Sequence, residues 1–93
     1  MKKLNISNVL GHVNQYAFID WQKDVFQSYQ SICAIRDWDK KEITLGRDWD
    51  YSKTTLKHLK AFLDITLSAQ EIRKAINLWQ LGSFKLIYDE DLN

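Results

Sequence analysis

Ninety-three residues with 13 Lys and Arg against 12 Asp and Glu carry a formal net charge of +1, which excludes the global field that draws a protein onto nucleic acid or an anionic membrane. With 45% hydrophobic and 13% aromatic residues, the chain is too apolar for a disordered tail and long enough for one core, so a single domain over residues 1–93 is expected. The single cysteine, Cys33, lies in an apolar run and has no partner for an internal disulfide, which points to a buried structural thiol in a reducing compartment.

Lys2 and Lys3 precede Leu4-Asn5-Ile6-Ser7-Asn8, which is too interrupted by polar residues for the hydrophobic region of a signal peptide. No window approaches the roughly 20 apolar residues of a membrane span. A cytoplasmic protein without membrane contact is therefore expected.

The first half reads as strands. Tyr16 to Trp21 and Val25 to Ile35 are rich in aromatic and β-branched residues, and Gln22-Lys23-Asp24 between them is short and polar enough for a hairpin. A second hairpin is expected over Ile35 to Gly46, with its charges at the tip and its apolar residues on the flanks. On an ideal pleat Tyr29, Cys33 and Ile35 share one face and Phe26, Ile32 and Ala34 the other, so a bulge or bend near Ser28 to Ser31 is needed to bring more of them to the core.

The second half reads as two helices. Behind Ser52 as N-cap, Leu56, Leu59, Leu63 and Leu67 recur at helical spacing, with Phe62 widening the arc and Lys53, Lys57 and Lys60 on another side. Ser68-Ala69-Gln70-Glu71 is a capping box opening the next helix, Leu67 and Ile72 fit a hydrophobic staple, and Ile72, Ala75, Ile76 and Trp79 form its apolar stripe. Gly82 is placed to stop that helix in the left-handed conformation. Ser83 to Tyr88 then suits a short final strand before the acidic Asp89-Glu90-Asp91. The fold class expected is α+β, an antiparallel three- to four-stranded sheet packed on one face by two consecutive helices.

Arg36-Asp37-Trp38-Asp39 recurs as Arg47-Asp48-Trp49-Asp50. A repeat architecture uses units of roughly 20 residues or more, so this is a local echo at the two ends of one hairpin strand. Its tryptophans either flank a groove or pack on the core, and packing is the favoured reading.

Phe26-x-Ser28-Tyr29-x-Ser31-x-x-Ala34, followed by Trp49-Asp50-Tyr51-Ser52-x-Thr54-Thr55-x-Lys57-His58-Leu59-x-x-Phe62-Leu63, resembles a pattern in small proteins encoded by phages and plasmids of Gram-positive bacteria. The resemblance covers roughly residues 14 to 63. It implies a mobile-element accessory protein that acts by binding a host or phage macromolecule. Inhibitors of a host defence complex, such as an anti-CRISPR, and transcriptional regulators are the two classes it brings forward.

Enzymatic chemistry has little support. His12 and His58 are the only histidines, neither has a second ligand at metal spacing, and no cofactor is expected. Asp48, Asp50 and Tyr51 form an acid-base cluster with His58 only if they converge across a pocket; a structural histidine bonded to a backbone carbonyl is the favoured reading. For DNA, the short turn at Ile65-Thr66-Leu67 suits a helix-turn-helix presenting Gln70, Arg73, Lys74 and Asn77 to the major groove. Asp64 and the acidic tail offset the lysines, so nucleic acid is not favoured. For a protein partner, or a homodimer contact, Tyr16, Trp21, Trp38 and Trp49 supply more large aromatics than a domain of this size readily buries. The candidate binding residues are Lys53, Lys57, Lys60, Tyr51, Trp38, Trp49, Arg73 and Lys74, with Trp21 as a further aromatic.

Overall fold

The computed structural model describes residues 2–5, 15–19 and 22–92. Among these, the elements in chain order are β1 (Lys2–Asn5), β2 (Gln15–Ile19), β3 (Lys23–Ser28), β4 (Ser31–Asp37), β5 (Glu42–Gly46), α1 (Lys53–Leu63), α2 (Ala69–Leu78), β6 (Gln80–Leu81) and β7 (Phe84–Asp89). The strands form one seven-stranded sheet in the order β1-β2-β3-β4-β5-β7-β6. Its neighbours are antiparallel except β5 and β7, which run parallel with Ile43 opposite Leu86. Parallel neighbours need a crossover of about a dozen residues or more, and here the crossover carries both helices.

The α+β class and the two consecutive helices are present, but the expected sheet of three or four antiparallel strands is corrected to a mixed sheet of seven. Two strands, Lys2–Asn5 and Gln80–Leu81, are too short or polar to show a pattern of their own. A third was hidden inside Val25 to Ile35, where the expected bend is a complete reversal through Tyr29-Gln30, with Tyr29 at φ 55°. His12 and Trp21 lie outside the described residues.

Beyond that turn, Phe26 faces Ala34 while Gln27 faces Ile32, so Cys33 is the extra residue of a bulge. A bulge turns two successive side chains the same way, and Cys33 and Ala34 are both fully buried. Ala17, Phe26, Ala34 and Leu45 stand opposite one another across four strands and are buried in one cluster. Leu59, Phe62 and Leu63 of α1 and Ile72 and Ala75 of α2 join it, and the Phe62 ring stacks on Phe26 at 5.6 Å between centroids. Each leucine, isoleucine or phenylalanine side chain so removed from water contributes about 1.5–3 kcal/mol. No helix among the described residues is long and apolar enough to cross a membrane.

Caps set the helix limits. Ser52 Oγ accepts from Thr55 N–H at 3.1 Å to start α1. At α2 the capping box is complete: Ser68 N–H donates to Glu71 Oε1 at 3.0 Å and Glu71 N–H to Ser68 Oγ at 3.2 Å. Glycine does not end either helix. Asp64 (φ 56°) closes α1 and Trp79 (φ 60°) closes α2, both left-handed, whereas Gly82 (φ 59°) turns the chain between β6 and β7. At Gly46 a Cβ would stand 2.6 Å from the Ile32 carbonyl oxygen, so the close approach of β5 to β4 there requires glycine.

Asp24 organises the other end of the sheet. Its Oδ2 accepts from Arg36 Nη2 at 2.8 Å and Trp38 Nε1 at 2.9 Å. The Arg36 guanidinium lies 4.5 Å from the Trp38 ring and 5.1 Å from that of Phe62, a cation held over aromatic faces as their quadrupoles favour.

Candidate functional site

The two segments Ser28–Ser31 and Tyr51–Thr55 are brought to one place by the β3–β4 turn and the start of α1. Ser28 Oγ and Thr55 Oγ1 lie 2.9 Å apart, and Ser52 Oγ lies 3.1 Å from the same Thr55 oxygen, giving a chain of three hydroxyls. Ser31 Oγ donates to Asp48 Oδ2 at 2.7 Å, which ties the β4 start to the loop after β5. Between these anchors opens a pocket of ≈ 880 Å³. Gln27, Tyr29, Gln30, Tyr51 and Tyr16 complete its lining, with Tyr51 74% exposed at its rim.

Cys33 lies at the pocket floor and is fully buried. Burial pushes its thiol up to about 11, and the Asp48 charge adds to that. It stays protonated and donates to the carbonyls of Asp48 at 3.4 Å and Ser31 at 3.6 Å, which is the behaviour of a structural thiol rather than a nucleophile. His58 is buried too, its Nδ1 bonded to the Thr54 carbonyl at 2.8 Å. Of the proposed acid-base cluster only Asp48 and Tyr51 line the pocket: Asp48 bonds Ser31, while Asp50 takes the Arg73 guanidinium at 2.6 Å. Among the described residues no group of His, Cys, Asp and Glu is placed to hold a metal ion.

A second surface lies at the C-terminal end of α2. Leu78 and Trp79 are 75% and 62% exposed. With Phe84 and Lys85 they border a shallow depression of ≈ 250 Å³. The Phe84 ring also meets Trp38 edge-on at 5.5 Å, and Lys41 Nζ lies within 6 Å of both rings, at 5.9 Å and 5.8 Å. Phe84 thus borders the same depression as Trp79 and pairs with Trp38, and with Lys41 and Lys85 nearby these residues make up the aromatic surface.

The candidate residues divide between these places. Tyr51 is on the pocket rim and Trp38 on the aromatic surface. Trp49 is only 4% exposed, under the Arg73 guanidinium at 5.7 Å, so it packs in the core as favoured and leaves the set of binding residues. Lys53 and Lys57 are exposed on α1 opposite its buried side chains. Lys60 and Lys74 both act on Glu71, whose carboxyl is held below its usual range, first by its bonds to Ser68 and then by these lysines. Ser28, Ser31 and Thr55 are not among the candidate residues, and Asp48 enters them only through the acid-base cluster, yet all four line the pocket. The available signal is the repeated hydroxyl spacing, Ser28-x-x-Ser31 and Ser52-x-x-Thr55. The sequence reading also passes over Leu78, and it assigns Trp79 to the apolar stripe.

Fold and site together define a small α+β domain with a mixed sheet and a hydroxyl-lined pocket where a hairpin turn meets a helix start. Residues 2–77 match DUF8033, a family of unknown function, and the chain belongs to that family. Neither the curated proteins nor the solved structures provide a match.

Proposed function

We propose that the domain is a non-enzymatic binding protein that engages a partner protein through the aromatic surface around Trp79. The observation that carries this reading is an exposed tryptophan in a left-handed helix cap. Glycine fits that backbone without strain, and an L side chain there costs roughly 1 kcal/mol. Local stability therefore does not account for Trp79, and tryptophan is among the residues that dominate interface energetics. The resemblance to phage and plasmid proteins supplies the context: a mobile-element accessory protein in the host cytoplasm, with a host defence complex as the partner class.

A DNA-binding regulator is the second reading, supported by the exposure of Gln70, Lys74 and Asn77 on α2. It needs Lys53, Lys57, Lys60, Arg73 and Lys74 to act as one basic surface. Arg73 is instead paired with Asp50, and Glu71, whose carboxyl feels Lys74 and Lys60, stands among the remaining cations, so acidic side chains interrupt the basic surface and the protein partner is preferred.

The test is capture from host lysate with wild type, Trp79→Gly, and a triple Lys53→Glu, Lys57→Glu, Lys60→Glu variant. Trp79→Gly removes the ring while relaxing the backbone, so loss of a captured complex in a protein that melts no lower than wild type supports the reading. Retention by Trp79→Gly with loss in the lysine variant moves the contact to α1. Retention of random duplex DNA near 0.2 M salt would overturn the protein-binding reading in favour of the regulator, since nonspecific affinity of that kind comes from neutralised phosphates.

A further inference from the structure

The hydroxyl-lined pocket has an electrostatic character that the aromatic surface lacks. Among the described residues that line it, Asp48 is the only one with a formal charge, and there is no lysine or arginine. Asp48 is half-buried, and among the described residues its carboxylate receives one hydrogen bond, from Ser31, and takes part in no ion pair. A carboxylate in that setting is a strong acceptor with capacity left over, since an ionised carboxyl offers about four lone-pair sites. The same pocket is lined by Tyr16, Tyr29 and Tyr51 and by the hydroxyl chain of Ser28, Thr55 and Ser52.

We infer that this pocket receives the guanidinium of an arginine side chain presented by another molecule. A guanidinium is planar, is always charged, offers five donors in a fixed fork and stacks on aromatic faces. Those properties match a carboxylate, several hydroxyl acceptors and tyrosine rings in one cavity. The volume of ≈ 880 Å³ also admits the flanking backbone of a peptide. The opposing influence is the start of α1, whose amide ends favour an anion. Its effect amounts to roughly half a charge at most, and Ser52 already accepts from the Thr55 amide. The full charge of Asp48 outweighs it. The sunken position of Cys33 fits the same field, because Asp48 helps to hold its thiol protonated.

The inference does not depend on the aromatic surface, and Trp79→Gly leaves it unchanged. The probe is a blocked tripeptide, acetyl-Gly-Arg-Gly-amide, titrated into the whole chain while backbone amide NMR signals are followed. Its controls carry citrulline, lysine or glutamate in place of arginine. Arginine should shift the amides of Ser31, Asp48, Tyr51 and Ser52, and neutral citrulline should bind roughly tenfold more weakly, the usual size of a lost charge-assisted hydrogen bond. Asp48→Asn, which keeps an oxygen for Ser31, should produce the same loss. Citrulline equal to arginine, or glutamate binding better, overturns the inference on the wild-type protein alone, whatever the fate of the variant. Lysine equal to arginine overturns the guanidinium assignment.

Discussion

The hydroxyls of Ser28 and Thr55 are buried and 2.9 Å apart, although 27 residues separate them in the chain. Through this contact the β3–β4 turn and the first turn of α1 hold each other in place, and Ser52, the N-cap of α1, extends the link. The pocket exists because these two local structures are bonded together.

Thr55→Val should therefore lower stability by about 1–3 kcal/mol, the cost of leaving a buried hydroxyl such as that of Ser28 without its partner. Thr55→Ser keeps the bridging oxygen and should lose only about 0.5–1.5 kcal/mol with its methyl group. Chemical denaturation of both variants is the measurement. Equal midpoints would mean that the hydroxyl chain contributes nothing beyond packing.

Asp24 is 6% exposed at its side chain and holds Arg36, itself 14% exposed, together with the Trp38 indole. Removing the carboxylate strands a guanidinium in the interior. Asp24→Ala should cost about 3–5 kcal/mol, a large share of the 5–15 kcal/mol that is typical of whole domains. Asp24→Asn retains one acceptor oxygen and should fall between it and wild type. The near-ultraviolet circular dichroism of Trp38 should weaken in both. An Asp24→Ala protein that melts with wild type would show the network to be dispensable.

What could be read from the chain follows the range of the interaction. Ser52 and the Ser68–Glu71 box act over three residues, and both caps are where the sequence places them. The turn after β4 is equally local, with Asp37 Oδ1 accepting from the amides of Asp39 and Lys40. Tyr29-Gln30 offers no Gly, Asn or Pro, so its left-handed residue had no signature and one apparent strand concealed two. The parallel pairing of β5 with β7 is settled across both helices, far outside any window of pattern. The pocket combines both cases, because its hydroxyl spacings are visible in the sequence while their meeting depends on the Ser28–Thr55 contact.

Asp64 combines two unfavourable choices at the end of α1. It is exposed at φ 56°, and it places a negative charge where the helix carbonyls are already negative. Asp64→Gly should raise stability by about 1 kcal/mol from backbone and dipole together, or roughly 4–8 °C in melting temperature for a domain of this length. Asp64→Ala removes the charge but keeps the strain and should gain less. A glycine variant that melts below wild type would mean that the aspartate makes a compensating contact.

Cys33 provides a pH signature with a definite sign. Its thiol is raised from the ordinary value of 9.0 to about 11 by burial first, with Asp48 adding and a backbone hydrogen bond opposing. Between those values the folded chain keeps a proton that the unfolded chain has released. Raising the pH there favours unfolding. The contribution is intact below pH 9 and is lost as pH climbs toward 11. Tyrosines and lysines also titrate in this range, so the measurement is the difference between wild type and Cys33→Ala, whose stability should decline less steeply over the same window. Alkylation gives an independent check, because only the thiolate reacts. At pH 8 iodoacetamide should modify native Cys33 far more slowly than the urea-unfolded chain. Labelling at the unfolded rate under native conditions would place the thiol in contact with solvent and remove it from the pocket floor.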